Sequence, residues 1–212
     1  MTGLRERKKQ QTRQHIAETA RGLFSDRGFD HVTIAEVAEA ADVAVQTVFN
    51  YFRTKEDLVY WRLSSFEDEL IAAVRDRAPD ASAIEAFQAF LFAQPGLLGK
   101  HDPASREELT SFTRMIVESP ALQARERQIF AGYTDTLAAL LAEETGVRPD
   151  DIRPRAAAHA MIGVHRALID YSRARIVKGE LGPKLTRDIR GQATRAFALL
   201  EEGLGEYARR PT

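Results

Sequence analysis

The chain contains no cysteine, which excludes disulfides, thiol catalysis and cysteine-ligated metal at once. No apolar run approaches the roughly 18 residues that a membrane span needs. The opening MTGLRERKKQQTR has no apolar core of the kind a secretory signal carries, so a cytoplasmic protein without membrane attachment is expected. Catalytic signatures are missing as well. There is no Gly-rich phosphate loop and no G-x-S-x-G, and the many acidic residues are scattered over polar faces. The histidines His15, His31, His101, His159 and His165 show no H-E-x-x-H spacing, and the last two stand six apart, off the i, i+4 face. The expectation is a protein that is not an enzyme and holds neither cofactor nor metal. Beyond Pro79 no stretch alternates with period two, so strands are not expected either.

What is present is helical periodicity. Over 212 residues, 44% hydrophobic and 29% charged, the apolar positions recur near every 3.6 residues and predict an all-α protein of about nine helices. The first should run from about Arg5 to Asp26, with Gly28 placed to stop it. The centre of the reading is Thr33–Leu58. Thr33 and Glu36 have the spacing of a capping box, and Ile34, Val37, Ala38 and Ala41 then share a face. Asp42 and Val43 leave room only for a tight turn before Val45, Val48, Phe49 and Phe52 resume helical spacing. Two short helices joined so abruptly have the outline of a helix-turn-helix. A three-helix unit over residues 1–53 would be small for independent stability, so residues 54–212 are expected to form a larger helical domain fused to it. Thr54 should cap one continuous helix to about Arg77, and further helices follow over 83–93, 105–118, 120–146, from Asp150 or Asp151 with Pro154 in the first turn, and 184–209. Gln94–Pro103 is the longest loop.

The net charge of -1 conceals an asymmetry. Residues 1–13 carry +4, from Arg5, Arg7, Lys8, Lys9 and Arg13 against Glu6, next to the helix-turn-helix where a polyanion could use it. A solvated chain start is the alternative. The last two long helices carry apolar stripes, Val164, Leu168 and Tyr171 on one and Ile189, Ala193, Ala196, Phe197, Leu200 and Leu204 on the other. The run Ala156, Ala157, Ala158, Ala160, Gly163, Ala167 would admit a helix at close range. The stripes fit either intramolecular core or a homodimer interface, and a helix-turn-helix favours the latter because paired half-sites need a symmetric dimer.

Residues 12–58 resemble the tetracycline-repressor (TetR) family of bacterial transcription regulators. The match rests on Phe24, Gly28 and Phe29, on Thr33, Val37 and Ala38, and on the run Thr47, Val48, Phe49, Asn50, Tyr51, Phe52, Arg53, Thr54, Lys55, Glu56, Asp57, Leu58. The resemblance implies a ligand-responsive repressor that binds a palindromic double-stranded operator as a dimer. A helical adaptor whose motif has lost DNA binding is the alternative. On the family pattern, Thr33, Thr47, Tyr51 and Lys55 would hold phosphates, while Val45, Gln46 and Asn50 would face bases, Gln or Asn pairing with adenine and Val meeting a thymine methyl. The larger domain would hold a small hydrophobic effector, an acyl thioester being one option. Its candidate lining is Trp61, Phe66, Phe87, Phe90, Leu91, Phe112, Met115, Tyr133, Met161 and His165, residues that could equally be ordinary core. Three positions depart from the pattern. Ala35 and Ala44 lack polar side chains that relatives use there, and Asp42 stands where Gly is usual, as a residue that tolerates a left-handed backbone. Asp42 could also replace the cap that Ala44 lacks.

Overall fold

The computed structural model describes residues 3–94 and 103–204. Among them there are ten helices and no strand: α1 Leu4–Arg27, α2 Ile34–Ala40, α3 Val45–Tyr51, α4 Glu56–Val59, α5 Leu63–Arg75, α6 Ala83–Ala93, α7 Pro103–Glu118, α8 Pro120–Thr145, α9 Arg153–Val177 and α10 Pro183–Leu204. None of these is long and apolar enough to cross a membrane. The interior of the expected Gln94–Pro103 loop, with His101, and the stretch after Leu204 lie outside the described residues.

The chain forms two bodies, one from Met1–Ser64 with Ser111–Glu126, the other from Ser65–Thr110 with Arg127–Thr212. In the first, α1 packs against α2 and α4, and α2 against α3. Ile16, Ala17, Ala20 and Phe24 give α1 its buried face, and Phe24 meets Phe29 edge to face at 5.1 Å. Gly28 ends α1 at φ 83, a conformation cheap only without a Cβ. The capping box at Thr33 is complete: the Glu36 amide donates to Thr33 Oγ1 at 3.2 Å and the Thr33 amide to Glu36 Oε2 at 2.8 Å. These bonds, with Arg27 beside it, hold the Glu36 carboxyl below its ordinary pKa. Asp42 adopts φ 52 and makes the turn between α2 and α3. It does not also cap α3, whose N-cap Ala44 offers no side-chain acceptor.

One expected helix is two. The periodicity from Leu58 to Val74 predicts a continuous segment from Thr54, yet α4 ends at Val59 and α5 starts at Leu63. Tertiary hydrogen bonds take over where the helical ladder stops. The buried Tyr60 hydroxyl donates to the Leu122 carbonyl at 3.1 Å, and Arg13 donates to the Trp61 carbonyl at 3.3 Å. That break accounts for ten helices where nine were counted. Thr54 does cap, accepting from the Asp57 amide at 3.3 Å while Asp57 Oδ2 accepts from the amides of Arg53 and Thr54.

In the second body α10 packs against α9 and α6. Ser82 and Glu85 form a second capping box at the start of α6, with the same three-residue spacing as Thr33 and Glu36. At the start of α9, Asp151 accepts from the Arg153 amide at 2.9 Å, and the Arg153 guanidinium holds the Asp151 carboxyl down to about 2. The core runs through Leu70, Val74, Ile84, Phe87, Leu137, Leu141, Ala158, Met161 and Phe197.

Candidate functional site

Helix α3 divides cleanly by exposure. Val48 is buried, with Phe52 just after it, while Thr47 and Tyr51 are half-buried. Val45, Gln46, Phe49 and Asn50 form the exposed face, with Val45 at 42% and Phe49 at 47%. These four sit at i, i+1, i+4 and i+5, so they make one strip of two apolar and two amide side chains. Gln46 donates to Asn50 Oδ1 at 3.4 Å, which aligns the two amides along the helix. Of the apolar set Val45, Val48, Phe49 and Phe52, only Val48 and Phe52 are buried, and the helical turn carries Val45 and Phe49 outward.

The four residues expected on phosphates are less alike than the motif suggests. Thr47 and Tyr51 stand half-buried beside the exposed strip. The Thr33 hydroxyl is engaged in its cap, donating to Glu36 Oε2 at 2.8 Å and accepting the Glu36 amide. Lys55 points inward. Its Nζ donates to the carbonyls of Phe29 at 2.9 Å and Val32 at 3.2 Å and lies 4.1 Å from the Phe29 ring centroid. An ammonium has three donors, and two of them here staple the loop between α1 and α2. The first role of Lys55 is therefore structural, a role the sequence motif could not reveal because the carbonyls it binds lie 23 and 26 residues earlier. Lys55→Ala is expected to cost about 1–3 kcal/mol of stability in chemical denaturation. Unchanged stability with weakened DNA binding would return the ammonium to a phosphate.

Arg13 is drawn in likewise, stacked 5.7 Å over Phe52 besides its bond to Trp61. Of the basic cluster at the chain start, Arg5, Arg7, Lys8 and Lys9 remain on the exposed surface, carried by the first turns of α1. The +4 segment is thus helical where described rather than a loose arm.

The candidate effector lining separates between the two bodies. Trp61, Phe112 and Met115 belong to the first, where Arg21 stacks 5.6 Å from the Phe112 ring. The others belong to the second, and there an aromatic cluster forms around His165 on α9. Phe66 on α5 stacks on the imidazole at 5.3 Å, Phe130 on α8 meets it edge-on at 5.5 Å, and Phe87 on α6 lies at 6.4 Å. Phe66 also contacts Phe90 at 5.2 Å and Tyr133 at 5.8 Å. His165 is 6% exposed, and its Nδ1 has no hydrogen-bond partner. Burial pushes the imidazole down to about 4, so it is neutral. Burial, with Glu67 nearby, raises the pKa of the Tyr133 hydroxyl. Met161 and Leu91 are buried in the same body. Phe130, which the candidate lining does not include, belongs to the cluster as well.

The terminal stripes need a larger correction. Leu168, Ile189, Ala193 and Phe197 are all buried within the single chain, and Phe197 packs on Phe87 at 5.9 Å. They are occupied by the contacts of α9, α10 and α6, so they are core and not a free interface. Tyr171 is half-buried in an ionic group, accepting from Arg175, which pairs with Glu180 and with Asp188 at 2.9 Å. Val164, Ala196 and Leu200 remain half-buried, and the Leu204 side chain lies outside the described residues. Exposed instead are Ala156, Gly163 and Ala167 on one face of α9 and, on α10, Leu199 at 71%.

Residues 16–60 match the model for bacterial regulatory proteins of the tetR family, and residues 86–205 match that of the MftR C-terminal domain. The chain is 28% identical over 156 residues to the HTH-type transcriptional regulator TcmR of Streptomyces glaucescens, covering 72% of this chain and 69% of that one. It is 27% identical over 158 residues to the putative mycofactocin biosynthesis transcriptional regulator MftR of Mycobacterium tuberculosis, covering 74% and 78%. Among solved structures, a SmeT–triclosan complex superposes with a TM-score of 0.56 over 90% of each chain at 16% identity, a likeness of fold.

Proposed function

Because the chain belongs to the tetR family of bacterial regulatory proteins, we propose that it is a cytoplasmic repressor that binds a palindromic operator as a homodimer and is released by a small hydrophobic effector. The observation that carries this reading is the exposed strip Val45, Gln46, Phe49, Asn50 on α3. Two apolar side chains left in solvent beside two aligned amides have no role in the fold of a monomer, and they suit the edges of bases in a major groove. Gln46 and Asn50 are the adenine-reading candidates, and Val45 and Phe49 can meet thymine methyls. The exposed cations Arg5, Arg7, Lys8 and Lys9 supply the sequence-independent attraction to phosphate. Thr47 and Tyr51 are the phosphate contacts whose hydroxyls the fold has not already committed.

The dimer face is assigned to the small-residue side of α9, Ala156, Gly163 and Ala167, with Leu199 of α10. A Cβ added at Gly163 would meet nothing within 4 Å in the single chain, so a second helix has room to approach there. The effector is assigned to the aromatic cluster around His165, the one buried ring among these whose nitrogen has no hydrogen-bond partner.

Selection of bound sites from random duplex DNA tests the whole reading. The expected product is an inverted repeat whose half-sites lie about one helical turn, or a multiple of it, apart. Binding no tighter than to random duplex at physiological salt would favour the adaptor instead. Gln46→Ala is expected to relax the preference at one position of each half-site by about 1–3 kcal/mol, measured by competition between site variants. A uniform loss across all sequences would show that Gln46 does not read a base.

A further inference from the structure

The cluster in the second body contains a polar group that the fold does not use. His165 is buried among Phe66, Phe87 and Phe130, with ring centroids at 5.3, 6.4 and 5.5 Å, and its Nδ1 is shielded from solvent without a hydrogen-bond partner. A phenylalanine would fill a similar space at no polar cost, so an unpaired ring nitrogen is a standing penalty in the folded chain. The penalty is recovered by any occupant that brings a hydrogen-bonding group to that nitrogen.

Resting on the reading of this chain as an effector-released regulator, we propose that the effector is an uncharged aromatic molecule bearing a hydroxyl, which hydrogen-bonds His165 Nδ1 while its ring replaces contacts of Phe66. Three observations narrow the class. Three rings, Phe66, Phe87 and Phe130, stand against the imidazole, and aromatic edges and faces reward another ring. Nδ1 of a neutral imidazole is donor or acceptor according to tautomer, and a hydroxyl serves either state, whereas a carbonyl serves only one. His165 is 6% exposed among these rings, so an ionised ligand would lose its hydration there. Access is on the side of Phe66 and Phe90, which are half-buried while Phe87, Phe130 and Tyr133 are buried.

The test uses a matched probe pair, 2-naphthol and 2-methylnaphthalene, which share shape and differ by hydroxyl against methyl. The full chain is titrated with each, following probe fluorescence, and the ¹⁵N signals of the imidazoles are recorded in parallel. The expected result is that 2-naphthol binds about tenfold or more tightly than 2-methylnaphthalene, the return for pairing a buried polar atom. His165→Phe should abolish that preference, and the His165 nitrogen signals should move with 2-naphthol and not with its methyl partner. Equal affinities, a preference that survives His165→Phe, or binding of palmitoyl-coenzyme A with none of 2-naphthol would each overturn the proposal. If His165→Phe does not fold, the nitrogen signals of the native chain decide. Operator binding is measured on the same samples. A chain that binds operator but does not distinguish the probes refutes this proposal alone, and one that distinguishes them but ignores operator refutes the regulator reading alone.

Discussion

Replacing Glu144 by alanine is expected to destabilise the protein by about 3–5 kcal/mol, the cost of taking the paired carboxylate away from a buried cation. The charge is Arg77, whose side chain is 2% exposed. Its guanidinium donates to the Val74 carbonyl at 2.6 Å, to the Ala81 carbonyl at 3.1 Å and to Glu144 Oε1 at 3.0 Å, and it forms an ion pair with Glu144 Oε2 at 2.8 Å. Arg77 thereby ties the end of α5 and the turn before α6 to the last stretch of α8, and the two carbonyls are polar groups that no helix satisfies. Removing Glu144 leaves the cation and its carbonyl bonds in place without this carboxylate. The double substitution Arg77→Met with Glu144→Leu should be less damaging than Glu144→Ala alone, because no charge is then buried. Urea denaturation of the three proteins checks this. A single-substitution loss below about 1 kcal/mol, the scale of a surface pair, would sink the argument.

The second large effect is on acid stability. Burial holds the His165 imidazole near 4 against an ordinary value of 6.5. The unfolded chain therefore takes up a proton below pH 6.5 that the folded chain refuses until about pH 4. The sign follows: the unfolded state binds more protons in that window, so stability from this group is fully present above pH 6.5 and falls as pH falls through the window. The loss should reach about 3 kcal/mol near pH 4. His165→Phe should remove that part of the slope, so the native unfolding free energy minus that of the variant must fall between pH 7.5 and pH 4.5. Parallel pH profiles for the two proteins would show that the imidazole is not held neutral. The glutamate and aspartate residues contribute equally to both profiles and cancel in the comparison.

These two effects involve groups that the sequence displays without interpreting. Arg77 reads as an ordinary basic residue near a helix end, and its partner is 67 residues away. His165 reads as a lone histidine on an apolar face. What could be read locally was read well. The capping box of Thr33 and Glu36, the left-handed turn at Asp42 and the stop at Gly28 depend on neighbours within a few residues, and backbone geometry follows from them directly. Contacts across the chain were not legible. Lys55 has the right type and spacing for a phosphate ligand, and only the folded loop shows its ammonium bound to two carbonyls. Phe197 sits on a stripe equally suited to core or partner, and the packing of α6 decides for core. The interruption at Tyr60 has no breaker residue, because a tertiary hydrogen bond makes it.

That same hydrogen bond has a consequence for engineering. Heads and bodies of modular regulators invite exchange at a sequence boundary, here the end of α3 or of α4. Yet the first body includes Ser111–Glu126, and from that distant segment come the Leu122 carbonyl that receives Tyr60 and the Arg125 guanidinium 2.8 Å from Asp57. A hybrid that grafts only residues 1–53 or 1–64 onto a foreign body discards both anchors. It would keep the exposed strip of α3 and lose part of what holds the first body together. A graft that carries residues 111–126 along with the head would transplant the whole module.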